Sequence, residues 1–385
     1  MTIRMDRQPT NYRRQVPTRV VLHYWGTRGG GSLFTLFLAQ HLKAAQQPID
    51  VVLSLSDSNA DIQLFRAEDI NVITFDRPRL STLLREMWAL PFRLRAHADL
   101  LVSLKPDVVV FTMNSPFAWP FIYSLKRRGL KIIYVTHDAE PHPGDYAATW
   151  QRLTQDVLIR RADHIVALSG HVLKRVAEKY STPKGRTSLI PLETIYPIKR
   201  THLSSWRFSN EPTRLLFYGR LLPYKGLNLL SEALKPFKFQ PGWQLTIAGS
   251  GPLEATIRRD FADWPQVNLE LGWISNQRTN ELFSSHHLLL CPYTEASQSG
   301  VIAEALSWAL PSLVMPTGAL PEQIGFGAAG LIARTADAHG LSQALQTVFD
   351  KPEDLVNLSH GAAKLLAERG ANQGWIELVK EIGDV

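Results

Sequence analysis

The chain has 385 residues, more than the roughly 250 to 300 at which one hydrophobic core stops growing, so two domains are expected and a lone small module is excluded. Apolar residues make up 45% and charged residues 20%, and the 24 glycines and 24 prolines are scattered, which excludes a low-complexity or disordered chain. The net charge of +7 is unevenly held: residues 1–200 carry 28 Lys+Arg against 17 Asp+Glu, a balance of +11, and residues 201–385 carry 14 against 18, a balance of −4. Such asymmetry suits either an anionic partner of the first half, phosphate groups or an acidic membrane face, or a solvated basic surface. Cys291 is the sole cysteine, which excludes an internal disulfide. With no secretory pattern at the N-terminus and no apolar run near the 18 or so residues that span a bilayer, a cytoplasmic protein is expected.

Residues 1–17 are polar, contain Arg4, Arg7, Arg13 and Arg14, show no periodicity and read as a disordered basic tail. From Thr18 a strand (TRVVLHYW), a glycine loop (GTRGGG) and a helix (SLFTLFLAQHLKAA) follow one another. Strands IDVVLSLS, INVITF, PDVVVFTM, KIIYVTHD and HIVALSG then alternate with helical stretches, among them the basic and apolar segment around Arg85, Trp88, Leu90, Phe92, Arg93 and Arg95, which Pro91 is expected to interrupt. Contiguous Val/Ile strands separated by helices predict a parallel sheet covered on both faces. Residues 18–195 form this first domain, and the proline-containing, aperiodic stretch 196–211 is the expected linker. A second alternating series fills 212–365: TRLLFYGR, WQLTIAGS, VNLELGWI, HLLLCPY and PSLVMP as strands with helices between. A C-terminal helix in 366–385 is expected to pack back toward the first domain. The fold class is therefore α/β, with two doubly wound parallel-sheet domains facing a cleft. Their ligands belong at the carboxyl ends of the strands.

In the loop after the first strand of the second domain, YGRLLPYKG holds Arg220 and Lys225 five residues apart, beside Gly219 and Gly226. A guanidinium fork and an ammonium next to a helix N-terminus make a clamp for phosphate oxygens. Gly249 and Gly251 in the next loop and Ser297-Gln298-Ser299-Gly300, ahead of a helix carrying Glu304, lie on the same rim. On the first domain, Gly29, Gly30 and Gly31 would let backbone N–H groups approach a ligand, and His137 and Asp138 end a strand. GFGAAG, with Gly325, Gly327 and Gly330, spells a dinucleotide fingerprint but follows no strand, which argues against a nicotinamide oxidoreductase. No His/Cys/Asp/Glu grouping has metal-ligand spacing, and the adjacent His286 and His287 would point to opposite faces of a strand.

YGRLLPYKGLNLL, LTIAGSGPLE, VNLELGWIS, CPYTEASQSGVIAEALSWALPSLVMPTGALPEQI and GAAGLIA, in this order, closely resemble the retaining GT-B glycosyltransferases of family 4. GGGSLFTLFLAQHL, ADHIVALSGHVLKRV and THDAEPHPG carry the likeness into the first half. The resemblance implies two Rossmann-like domains and transfer of a sugar from a nucleotide-diphosphate sugar, with retention and with no metal or other cofactor. Arg220 and Lys225 would then hold the donor diphosphate, His137 would face the donor sugar from the first domain, and Glu304 matches the second glutamate of the family's E-x7-E pattern, which binds the ribose hydroxyls. Ser299, Gly300, Gly30, Gly31, Gly249, Gly251 and the backbone at Ile274 complete the implied donor side; Asp138, His142 and Asn114 fall on the acceptor side. The sequence departs from the pattern at the first glutamate: Ala296 stands eight residues before Glu304 and Glu295 nine before. Either the loop shifts so that Glu295 approaches the sugar, or the SQSG backbone amides take over that contact. The implied acceptor is a glycan or lipid-linked hydroxyl in bacterial polysaccharide or glycoconjugate synthesis, with the basic half resting on an anionic membrane and no nucleic acid involved. The departure at Ala296 keeps open a non-catalytic scaffold that binds a nucleotide sugar or glycan.

Overall fold

The structure, a computed structural model, describes residues 17–384 apart from Arg28, Gln47, 79–85, Pro116, 139–147, 181–184 and 201–210. The tail to Val16, Arg85, His142 and most of the linker expectation therefore lie outside the described residues. In the first domain β1 (Thr18–Tyr24), α1 (Gly30–Lys43), β2 (Ile49–Ser56), α2 (Ile62–Ala67), β3 (Asn71–Phe75), α3 (Leu90–Ser103), β4 (Val108–Phe111), α4 (Ala118–Lys126), β5 (Ile132–Thr136), α5 (Ala148–Arg161), β6 (His164–Ala167), α6 (Gly170–Tyr180) and β7 (Thr187–Leu189) alternate. All strands pair in parallel, in the order β3-β2-β1-β4-β5-β6-β7. The second domain holds β8 (Thr213–Tyr218), α7 (Leu227–Leu234), β9 (Trp243–Gly249), α8 (Glu254–Asp260), β10 (Val267–Leu271), α9 (Asn276–Ser285), β11 (Leu288–Cys291), α10 (Gly300–Ser307), β12 (Ser312–Val314), α11 (Leu320–Gln323), β13 (Gly330–Ile332), α12 (Ala338–Asp350), α13 (Asp354–Gly370) and finally α14 (Gly374–Asp384). Its sheet is also parallel, in the order β10-β9-β8-β11-β12-β13.

Strand order reverses between β1 and β4 in one sheet and between β8 and β11 in the other. At such a switch point adjacent loops diverge to opposite faces and leave a crevice at the carboxyl edge. Four loops are thereby singled out: the ones after β1 (Gly29–Gly31), β4 (Thr112–Ser115), β8 (Gly219–Lys225) and β11 (Pro292–Ser299).

The central strands bury both faces, as their unbroken apolar runs require: Val20–Leu22, Val108–Phe111 and Leu288–Cys291 are essentially inaccessible. In the first domain His23 Nδ1 and His97 Nε2 both meet the Ser54 hydroxyl, at 3.3 and 2.9 Å, inside a cluster with Trp25, Phe75, Phe111 and Phe121. Burial keeps both imidazoles neutral, lowering His97 to about 4 and His23 well below its ordinary value. Pro91 does not interrupt the basic helix; it occupies the first turn of α3, where its missing N–H costs nothing and its fixed φ suits the start.

Helix α13 runs through residues 365 and 366, so the division expected there moves to Ala371–Gln373, where the chain crosses over. Helix α14 then packs on β1 and β4 of the first domain. Trp375 is fully buried with its ring 6.2 Å from Phe34, and Gly383 sits so close to Asp107 and Thr18 that an added Cβ would lie 3.1 Å from the Asp107 Cβ. Among the described residues no helix is long and apolar enough to cross a membrane.

Candidate active site

Backbone contact between loops places the two cations. Leu221 N donates to Ser250 O at 2.9 Å, and Gly219 N to Ala248 O at 2.9 Å. Gly249, at φ +145°, lies so close that a Cβ there would sit 1.8 Å from Gly219 O, and one on Gly251 would sit 2.5 Å from Leu221 O. Both glycines were expected on the donor; the structure instead fills their open sides with the Arg220 loop, which they seat. Gly226, at φ +70°, permits the same approach to Pro292 O on the neighbouring loop. Arg220 is exposed, with one guanidinium nitrogen 3.1 Å from the Tyr224 hydroxyl. Lys225 Nζ rests 3.6 Å above the Tyr293 ring, a cation–π contact that orients the ammonium.

Ser299 caps α10, its hydroxyl accepting from Ile302 N at 3.4 Å, and its own N–H donates to Gln323 Oε1 at 2.6 Å. Its amide is thus committed within the protein, which corrects the expectation that Ser299 contacts the donor through that group. Gly300 opens the helix and is exposed. Glu304, one turn on, is mostly covered: its Oε1 accepts from Lys199 Nζ at 2.6 Å and from Trp308 Nε1 at 3.0 Å. Ala296 is buried, and its carbonyl accepts from Ala319 N at 3.2 Å while Gly318 packs against it. Glu295 is exposed beside it. Ile274 is partly buried against the core, next to Trp273, whose side chain is 72% exposed.

From the opposite domain, His137 follows β5 and is buried. Its Nε2 lies 2.8 Å from Thr112 O and its Nδ1 2.9 Å from Gln298 Nε2, a bond across the cleft. Burial lowers its pKa below the ordinary value, so the ring is neutral, with Nε2–H donating to the carbonyl and Nδ1 accepting from the amide. The Asp138 carbonyl accepts from Thr136 Oγ1 at 3.0 Å and from Gln155 Nε2. Asn114 donates to Thr154 Oγ1 at 2.9 Å, while its Oδ1 is buried without a partner among the described residues. Of the first-domain glycines, Gly30 is open, whereas Gly31 packs against Tyr24 and Met113 and serves close approach of α1.

Four interdomain or hinge contacts had no sequence signal. Ser169 Oγ donates to Ser297 O at 2.8 Å, and Gly170 N at the start of α6 donates to the Glu322 carboxylate at 2.9 Å. Glu193, 1% exposed, pairs with Arg369 at 2.9 Å and accepts from Gln323 Nε2 at 2.5 Å. Burial raises the Glu193 pKa, against the pull of Arg369 and Gln323. Among the described residues no cluster of His, Cys, Asp and Glu is arranged to hold a metal ion. His286 and His287 are structural: His286 Nε2 meets Thr246 Oγ1 at 2.9 Å, and His287 Nδ1 accepts from Arg214 N at 3.0 Å.

Residues 212–351 match the family model described as Glycosyl transferases group 1, and residues 28–192 the one described as Glycosyltransferase Family 4. The chain is 24% identical over 326 residues to a GDP-mannose-dependent monoacylated alpha-(1-6)-phosphatidylinositol monomannoside mannosyltransferase of Corynebacterium glutamicum, covering 80% of this chain and 83% of that protein. It is 23% identical over 289 residues to a D-inositol 3-phosphate glycosyltransferase of Nocardiopsis dassonvillei, covering 69% and 66%. In fold it is similar to a glycosyltransferase of Rickettsia africae, with a TM-score of 0.72 at 14% identity over 95% of this chain and 98% of that one. It is likewise similar to HepE of Anabaena in complex with UDP-glucose, with a TM-score of 0.70 at 15% identity over the same shares. Two parallel-sheet domains meeting at their carboxyl edges, with these likenesses, define the class: a GT-B glycosyltransferase. The chain belongs to glycosyltransferase family 4, the glycosyl transferases group 1.

Proposed function

We propose that the enzyme transfers a sugar, with retention, from a nucleotide-diphosphate sugar to a hydroxyl of a glycan or lipid-linked acceptor, as a step of bacterial polysaccharide or glycoconjugate synthesis. The observation that carries the reading is the gathering, at the two switch-point crevices, of the Arg220–Lys225 loop, whose Gly219 faces Val301 of α10 and whose Lys225 lies over Tyr293, with the His137–Gln298 bond across the cleft.

Departure of the nucleoside diphosphate puts charge on the leaving phosphate as the sugar becomes oxocarbenium-like. Arg220, Lys225 and the N-terminus of α10 offset that charge in a cleft from which closure expels water, and no metal ion is needed for it. Glu304 takes the ribose diol. Position 296 is alanine, Glu295 is exposed and Glu304 is held by Lys199 and Trp308, so the reading needs no carboxylate nucleophile. The bond from the anomeric carbon to the phosphate oxygen breaks, the acceptor oxygen bonds to that carbon on the same face, and the acceptor's proton passes to the departing phosphate oxygen. His137, neutral and engaged at both ring nitrogens, faces the sugar and transfers no proton in this scheme.

Asn114 and Asp138 belong to the acceptor side. Along the same carboxyl edge, Met87, Trp88 and Phe92 at the start of α3, Trp119 at the start of α4 and Leu153 early in α5 are 47%, 75%, 71%, 40% and 62% exposed. An apolar rim beside the acceptor mouth of a basic domain suits an acceptor carried on a lipid and a chain that rests peripherally on the inner face of the cytoplasmic membrane. The name of the Corynebacterium glutamicum relative, with its acylated phosphatidylinositol acceptor, supports this reading.

Arg220→Ala and Lys225→Ala are each expected to keep the fold and lower turnover by about two orders of magnitude, the effect of removing one charge-stabilising donor. Release of free nucleoside diphosphate from donor and acceptor is the measurement. Rates within threefold of wild type in both folded variants would remove the diphosphate role, and no release by the wild type with any donor would favour a non-catalytic scaffold.

A further inference from the structure

Gln298 is fixed at its amide nitrogen and unmatched at its oxygen. Since His137 Nε2–H is spent on Thr112 O, Nδ1 presents a lone pair, and the Gln298 atom facing it at 2.9 Å must be the NH2 group. The other atom, Oε1, is buried and has no hydrogen-bond partner among the described residues. A buried carbonyl left so forfeits the water it gave up and pulls the side chain toward any donor within reach. Backbone movement cannot relieve it, because both neighbours are anchored: Ser297 O accepts from Ser169 Oγ at 2.8 Å, and Ser299 N donates to Gln323 Oε1 at 2.6 Å. Its partner His137 belongs to the opposite domain, so the bond that orients the carbonyl depends on contact between the two domains. Two residues earlier, Ala296 supplies no side-chain oxygen, and Glu295 is exposed.

We infer that Gln298 reads the sugar of the donor: Oε1 accepts a hydrogen bond from a hydroxyl of the transferred sugar while the amide nitrogen stays on His137 Nδ1. Gln298 and His137 thus form a single two-domain sugar subsite that assembles only when the domains close. The assignment rests on the nucleotide-sugar reading above and names the residue that makes that site selective for the sugar rather than the nucleotide.

The test compares dissociation constants of the full chain for GDP, GDP-mannose, UDP and UDP-glucose by calorimetry, for wild type and Gln298→Leu, which keeps the volume and removes the carbonyl. For whichever pair the wild type binds, the variant is expected to hold the nucleoside diphosphate within about twofold and to weaken for the nucleotide sugar at least about tenfold. Unchanged affinity for both members of the pair would overturn the assignment, and so would equal weakening of both, which marks Gln298 as general scaffolding of the cleft. Wild-type binding to none of the four would instead overturn the nucleotide-sugar reading itself, and Gln298's role with it. The nucleoside diphosphate affinity of Gln298→Leu, held within about twofold, is itself the check that the variant is folded.

Discussion

At the residue scale, Glu304 is defined by what already holds it. Lys199 and Trp308 converge on Oε1, which locks the carboxylate rotamer and leaves Oε2 with no partner among the described residues for a diol hydroxyl. Lys199 also stacks 5.4 Å over the Trp308 ring, so the three side chains brace one another. Glu304→Gln keeps an acceptor but loses the charge, and hydrogen bonds to charged groups are worth about 1.5 to 3 kcal/mol. Calorimetry with GDP and UDP should therefore show about tenfold weaker binding of the cognate diphosphate at nearly unchanged melting temperature. Equal affinity in the variant would make Glu304 a packing residue of α10. Arg220, Lys225, Glu304 and His137 stand out as candidates in the sequence because each sits within a short motif or at a strand end. Lys199 and Glu193 do not, nor does the bond of Gln298 to His137: these partners lie 105, 130 and 161 residues apart, and no local period encodes such contacts.

At the scale of elements, the SQSG loop is clamped at three successive residues, Ser297 by Ser169, Gln298 by His137 and Ser299 by Gln323. Gln323 in turn donates to Glu193, and Arg369 on α13 binds both the Glu193 carboxylate and the Gln323 carbonyl, the latter at 2.9 Å. The hinge is thereby wired to the helix that carries Glu304. Removing one partner of a buried ion pair strands the other charge, at a cost of about 3 to 5 kcal/mol. Glu193→Ala should melt several degrees below wild type and turn over more slowly, while Glu193→Gln, which still accepts from Gln323, should lose less of both. Thermal melts in which Glu193→Ala matches wild type would show that the hinge pair bears no load. Alternating apolar runs made the strands and most helices readable, whereas glycine roles and element ends were misread where the reason is tertiary. Gly249 looks like a phosphate loop in sequence and proves to be a seat for another loop's backbone. Pro91 looks like a breaker and proves to be a helix start, because the residues before it turn instead of extending the helix.

Across the whole molecule, the first domain, residues 18–195, carries 22 Lys+Arg against 16 Asp+Glu, a balance of +6, and exposes Met87, Trp88, Phe92, Trp119 and Leu153 along one edge. The structure redistributes the expected basic cluster. Arg93 is neutralised by Glu86 at 3.0 Å and Asp76 at 3.4 Å, so among Arg93 and Arg95 only the exposed Arg95 still offers its charge outward. On the proposed membrane role, attraction depends on insertion of the apolar rim, with the summed basic charge adding about 1 kcal/mol per residue near an anionic surface and decaying within about 8 Å at physiological salt. Trp88→Ser with Phe92→Ser should abolish most sedimentation with vesicles of phosphatidylcholine and phosphatidylglycerol. Arg95→Glu should weaken it in proportion to one lost cation, and salt should weaken the wild type without eliminating the apolar part. The double variant should keep its melting temperature, since both side chains are about three-quarters exposed and leave no cavity. If the wild type fails to sediment with these vesicles at low salt, the membrane-facing role of this edge is wrong, and the acceptor reaches the cleft from solution.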